Sequence, residues 1–134
     1  QSETVMDRRT SLSTFALALA GTASAQTAIA QTTGGVKLTV LYNPPKSPEE
    51  FEKYYFEVHM PLVAAVKGIR RTETSKGLPQ ADGSAPTFYR IFEAWFDSPE
   101  QMAAAFATPE WAKVRADLPK VATGGATRLI TQID

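Results

Sequence analysis

The chain has 134 residues, 43% of them hydrophobic and 21% charged, which suits one soluble globular domain of ordinary size. Lys plus Arg and Asp plus Glu both number 14, so there is no basic excess of the kind a general nucleic-acid binder or a polybasic membrane-surface protein uses. Cysteine is absent and histidine occurs once, which removes disulfides, thiol catalysis, Fe–S clusters, Cys-zinc sites and a histidine-only metal cage within one chain.

Residues 1–35 read as a signal peptide or N-terminal tail. Met6-Asp7-Arg8-Arg9 supplies a basic start, and no charged residue follows from Thr10 to Val36. Leu12 to Leu19 is a short apolar run, and Ala23-Ser24-Ala25 and Ala28-Ile29-Ala30 place small residues where a signal peptidase cuts. The run is too short to span a bilayer, which takes about 20 apolar residues. The pattern predicts a periplasmic or secreted protein. Arg8-Arg9 resembles a twin-arginine signal, with flanking residues that fit that motif poorly.

The domain proper is expected over residues 36–134. Val36 to Tyr42 alternates and is rich in β-branched residues, so it predicts a strand. Ser47-Pro48-Glu49-Glu50 then opens a helix, with Ser47 as cap, Pro48 in the first turn and Glu50 completing a capping box. Phe51, Tyr54 or Tyr55, Val58 and Leu62 recur at helical spacing and give its apolar face. Pro61 has no N–H to offer the Glu57 carbonyl, so the helix is expected to kink or break between His59 and Leu62. Gly68 ends it. Ile69 to Ser75 predicts a second strand and Lys76 to Pro86 a Gly/Pro loop. Thr87 to Phe96 predicts a third strand, apolar on both faces. Phe88, Arg90, Phe92, Ala94 and Phe96 point one way, and Tyr89, Ile91, Glu93 and Trp95 the other.

Asp97-Ser98-Pro99-Glu100 repeats the first helix start almost letter for letter. A helical piece over Met102 to Phe106 follows. A second begins at Thr108-Pro109-Glu110 and runs to about Leu118, where Pro119 ends it. Gly124-Gly125 turns the chain into a last strand, Thr127 to Ile133, and is no phosphate loop because no helix follows it. The order β-α-β-β-α-β is that of an α+β, ferredoxin-like domain with a four-stranded antiparallel sheet. Right-handed crossovers place both helices on one face and leave the other bare. A second copy of the chain is the economical cover for that face, giving a homodimer.

Tyr54-Tyr55-x-x-Val58-His59-x-Pro61-Leu62-Val63 after an N-terminal strand resembles the signature of the EthD family, and Glu93-Ala94-Trp95-Phe96-Asp97-Ser98 and Ala116-Asp117 agree with it in order and spacing. The resemblance covers residues 37–134. It implies a dimeric α/β barrel, formed when two ferredoxin-like sheets close face to face, in a superfamily that includes cofactor-free monooxygenases, isomerases, dehydratases and haem-using enzymes. The long Gly/Pro loop and the exported N-terminus depart from the usual pattern, and the second weakens a cytoplasmic catabolic role.

His59 is the one side chain whose ordinary pKa lies near neutrality. It serves either as general acid or base in a pocket between helix and sheet, or as a cap on the broken helix. Tyr54 and Tyr55 are adjacent and cannot share a helix face, so one is core and the other nearer a pocket or the surface. Tyr55 and Glu93 are the candidate partners of His59 in catalysis. Glu93 is otherwise the carboxylate of an ion pair with Arg70, Arg71 or Arg128. Tyr54, Phe88, Phe92, Trp95 and Trp111 are candidate substrate-binding residues, with core and dimer interface as the competing roles. Asp117 is expected to cap or close the second helical region. No metal, Walker, dinucleotide or nucleophile-elbow motif occurs.

The reading favours an exported, homodimeric, cofactor-independent acid–base enzyme of dehydratase, isomerase or monooxygenase type, acting on a small apolar or aromatic compound. A periplasmic binding or accessory protein without turnover is the second reading. A haem-binding barrel with His59 as axial ligand is the third.

Overall fold

The computed structural model describes residues 35–134, and the expected signal segment therefore lies outside the described residues apart from its last position. Four strands, β1 (Val36–Tyr42), β2 (Arg71–Lys76), β3 (Arg90–Phe96) and β4 (Ala126–Gln132), form one sheet in the order β2-β3-β1-β4. Every neighbouring pair is antiparallel. Between β1 and β2 lie α1 (Pro48–Tyr54), a π-helical turn (Tyr55–His59) and α2 (Met60–Ala64). Between β3 and β4 lie α3 (Pro99–Phe106) and α4 (Pro109–Val121). This is the expected ferredoxin-like topology. Among the described residues no helix is long and apolar enough to cross a membrane.

The two faces of the sheet follow from the period of the strands. Val36, Leu38, Val40 and Tyr42 of β1 and Arg90, Phe92, Ala94 and Phe96 of β3 are buried against the helices. Their alternates, Lys37, Thr39, Leu41, Ile91, Glu93 and Trp95, occupy the other face and are half-buried. The helical layer closes the core with Phe51, Tyr55, Val63, Val66, Met102, Ala105, Trp111, Val114 and Val121.

The helix starts behave as their residues dictate. Ser47, Ser98 and Thr108 each accept a hydrogen bond from the backbone N–H three residues on, satisfying a donor that the first helical turn leaves free. Gly68 takes φ +96° after the first helical region, a conformation that costs a residue with a Cβ. Gly124 passes so close to the Pro44 carbonyl that a Cβ there would sit 2.0 Å from its oxygen, which pins the turn into β4.

Several boundaries differ from the sequence expectation. The helix does not break at Pro61. It widens one turn earlier, over Tyr55–His59, where the Met60 N–H bonds the Tyr55 carbonyl five residues back. Backbone angles through His59 and Met60 stay helical. Pro119 does not end the last helix, which runs to Val121. Arg115, whose carbonyl loses its partner to Pro119, is exposed, so water can satisfy it, and the Ala122 N–H closes the end on Leu118. β2 begins at Arg71 rather than Ile69, and β3 at Arg90 rather than Thr87. Residues 87–89 still join the sheet loosely, through Tyr89 N–H to Tyr42 O at 2.7 Å and Gly77 N–H to Tyr89 O at 2.9 Å.

Candidate functional site

The π-helical turn decides which side chains reach the interior. In a regular helix from Phe51 the apolar stripe would include Val58. The observed stripe is Phe51, Tyr55, His59, Val63, one residue in four, because the wider turn admits an extra residue. Val58 is 40% exposed and His59 is 3% exposed. The imidazole is thus carried into the space between helices and sheet.

Asp117 of α4 meets it there. Its place follows from the run Trp111, Val114, Asp117, Val121, which recurs at helical spacing and is buried throughout. His59 Nδ1–H donates to Asp117 Oδ2 at 2.9 Å, and the Tyr54 hydroxyl donates to Oδ1 at 2.5 Å. Burial alone would push the Asp117 carboxyl up. The bonds from Tyr54 and His59, with the charges of His59 and Lys120, outweigh it and hold the carboxyl below its ordinary value. The bond to an ionised carboxylate raises the Tyr54 phenol above its own ordinary value. With Nδ1 engaged, Nε2 is the ring nitrogen left for other work.

His59 lines a cavity of about 50 Å³ together with Leu38, Val40, Tyr42, Val63, Phe92, Trp111, Val114 and Leu118, with Arg115 and Arg128 at its exposed rim. Tyr42 is 1% exposed, and among the described residues its hydroxyl makes no hydrogen bond. Burial, with the nearby Tyr55 and Asp117, drives its pKa well above the ordinary phenol value, Arg90 opposing. A buried hydroxyl without a partner is unusual and costs stability.

A second polar network flanks the first. Arg90 donates to Glu52 through Nη2 at 2.6 Å and Nε at 3.3 Å, and through Nη1 to Thr74 Oγ1 at 3.1 Å. The Tyr55 hydroxyl shares a 2.7 Å hydrogen bond with Thr74, and Tyr89 donates to Glu52 at 3.0 Å. The Tyr55 ring lies alongside His59, centroids 6.1 Å apart, but its hydroxyl is spent on Thr74.

The structure thus separates residues that the sequence grouped. His59, Phe92 and Trp111 share the cavity. Tyr54 reaches it through Asp117 and also lines an outer groove of about 380 Å³ with Lys46, Lys53, Lys120 and Val58. Glu93 and Trp95 lie on the opposite face of the sheet. Glu93 pairs there with Lys37 at 3.1 Å, not with Arg70, Arg71 or Arg128, because Lys37 stands diagonally across β1 on the same face. Trp95 lies under the Arg71 guanidinium at 3.8 Å and near the Lys37 ammonium. Phe88 precedes β3, half-buried, away from the His59 cavity. Asp117 is a site residue rather than a cap. The signal for it was an acid at a stripe position of α4; the signal for Tyr42 was its inward place in the alternation of β1.

The family model of the EthD domain matches residues 43–124. The chain belongs to the EthD family. An uncharacterised 11.0 kDa protein in the thcB-thcC intergenic region of Rhodococcus erythropolis is 34% identical to this EthD chain over 95 residues, covering 71% of it and 91% of the relative. The crystal structure of an EthD family protein from Bacillus halodurans superposes with a TM-score of 0.70 at 28% identity, over 75% of this chain and 99% of the other. A hydroxynitrile lyase from Passiflora edulis shares the fold, with a TM-score of 0.63 at 14% identity over 76% of this chain and 95% of its own. All of the His59, Tyr54 and Asp117 cluster falls inside the EthD match; Tyr42 stands one residue before it.

Among the described residues no three His, Asp or Glu side chains cluster as a metal site would require. A haem does not fit the residues at His59 either, because a cavity of about 50 Å³ is far smaller than a porphyrin.

Proposed function

We propose that this EthD chain is a cofactor-independent acid–base enzyme whose working site is the His59 cavity. The observation that carries the reading is that a carboxylate held ionised orients one nitrogen of an imidazole that lines a cavity together with a tyrosine whose hydroxyl has no partner among the described residues. Asp117 fixes the tautomer with the proton on Nδ1 and stabilises the imidazolium that forms when Nε2 takes a proton from substrate. The Tyr42 hydroxyl then donates to the oxygen on which charge develops, among mostly apolar walls. Return of the proton from Nε2 to another atom completes an isomerisation, and loss of a leaving group completes an elimination. Dehydratase and isomerase chemistry both fit this arrangement. The apolar lining supports a small compound with an apolar body, and the volume admits its reacting end rather than a whole aromatic ring.

The test uses proton exchange. Small enolisable carbonyl compounds are incubated with the protein in D2O, and exchange beside the carbonyl is followed by NMR. The expected result is protein-catalysed exchange that falls about 10²–10⁴-fold in His59→Gln, the usual worth of a positioned acid or base. Exchange equal in wild type and variant, or no catalysed exchange across the panel, overturns the reading.

The outer groove, several times larger than the inner cavity, favours a second reading: a binding or accessory protein without turnover. Saturable ligand binding with no catalysed exchange selects it. Two further proposals complete the picture. The charge-poor N-terminal segment, with its basic start, short apolar run and Ala-x-Ala sites, supports export. The open sheet face, carrying Leu41, Ile91, Trp95 and Leu129, supports a second copy of the chain as its cover.

A further inference from the structure

The cavity at His59 has a feature that its apolar walls do not explain. Arg115 of α4 and Arg128 of β4 both line it. Neither joins an ion pair among the described residues, where the pairs engage Lys37, Arg70, Arg71 and Arg90 as cations and Asp117 meets the His59 imidazole. The Arg128 guanidinium lies 5.9 Å from the Phe106 ring centroid, at the outer limit of a cation–π contact. In register Arg128 stands opposite Val40, one diagonal from Tyr42. Diagonal neighbours on adjacent strands are about 7–8 Å apart, within reach of long side chains. One cavity is therefore lined by two exposed arginines, unpaired among the described residues, and by the buried Tyr42 and His59, whose hydroxyl and Nε2 have no partner among the described residues.

We infer that the site takes a short carboxylic acid bearing a carbonyl or hydroxyl oxygen within a few bonds of the carboxylate, an oxo- or hydroxy-acid. The carboxylate sits on Arg115 and Arg128, whose planar forks match its geometry. The second oxygen accepts from Tyr42, which places the intervening carbon beside His59. The inference rests on the His59 cavity being the working site. The volume sets the size. At about 50 Å³ the interior is near one third of the ~150 Å³ that holds benzene, so the reacting end enters and the charged end stays at the rim.

The experiment titrates the full chain with pyruvate and, separately, with butanone as the uncharged analogue. Binding is read from the imidazole C–H signals of His59, which are unambiguous because the chain has one histidine. Pyruvate is expected to shift these signals saturably and to bind more tightly than butanone. Arg128→Met and Arg115→Met keep the aliphatic stem at exposed positions, and an unchanged melting temperature confirms their fold. Each is expected to weaken pyruvate about tenfold or more, the worth of a hydrogen bond to a charged group, and to leave butanone unchanged. Pyruvate affinity unaltered in both variants overturns the inference. So does butanone binding as tightly as pyruvate, and in that case the cavity itself still stands as a site. If neither compound moves the His59 signals, this inference falls, and the proposed function is decided separately by the exchange test.

Discussion

The two halves of the domain open with the same instruction and deliver different chemistry. Both follow a strand with Ser-Pro-Glu, and both serine hydroxyls cap the helix that follows. The first half then runs through without a break, and its π-helical turn absorbs one extra residue so that His59 falls inward. The second half stops at Ala107 and restarts under a new cap, Thr108, which resets the register so that Asp117 falls inward. One half reaches the cavity by widening a helix, the other by interrupting one. The contact between them, His59 to Asp117, exists only because both devices adjust the regular period by the right amount.

Removing the second half's contribution should have the largest effect. Asp117→Ala leaves His59 Nδ1 and the Tyr54 hydroxyl without partners, and each lost hydrogen bond to a charged group costs about 1.5–3 kcal/mol. For a domain of this size the melting temperature should fall by more than about 10 °C. A variant that melts with the wild type would show that the halves do not depend on each other here.

The widened turn is tested by two valines. Val63→Ala should cost about 2 kcal/mol in urea unfolding, from lost burial and the space left behind. Val58→Ala should stay within about 0.5 kcal/mol, as exposed substitutions do. A regular helix from Phe51 would bury Val58 and reverse the order.

Solution pH sharpens the comparison from both sides. The folded Asp117 carboxyl lies below its ordinary value near 3.8, so the stability it contributes is present above that pH and is lost as pH falls through the lower folded value. Asp117→Asn should flatten the acid limb of the stability curve. All four tyrosines are raised above 10: Tyr42, Tyr55 and Tyr89 first by burial, Tyr54 first by its bond to Asp117. Their contribution is fully present below pH 10 and is lost as pH rises through the folded values. Phenolate absorbance should therefore appear late and together with unfolding; ordinary titration of all four in the folded state would contradict the burial described. A small expected change in stability is also the most telling for function. Tyr42→Phe removes a hydroxyl that has no partner, so stability should hold or rise by up to about 1 kcal/mol while catalysed exchange falls.

Much of the fold was legible because it rests on local rules. Alternation gave the strands, the Ser-Pro-Glu repeats gave the helix starts, and their order gave the topology. The site was legible only in part. His59 stood out as the sole imidazole, but its surroundings did not. Glu93 was grouped with it because strand alternation tells which residues share a face, not which face a helix covers. Asp117 and Tyr42 carry no such signal, because in the sequence each reads as part of an element, a cap and the end of a strand. Val58 was counted in the core because a fixed period cannot foresee an added residue. Pro61 marked the right neighbourhood, and the chain answered it by loosening the turn before it rather than breaking.

Strand β3 spells two messages on alternate letters. Arg90 and Phe92 face the helices and belong to the interior polar networks and the cavity wall, while Ile91, Glu93 and Trp95 face outward among Lys37 and Arg71. A change of the open face and a change of the cavity wall therefore draw on different positions of the same seven residues. Lineages that keep this sheet can alter its open face without touching the imidazole's surroundings, and can alter the cavity wall without touching the open face.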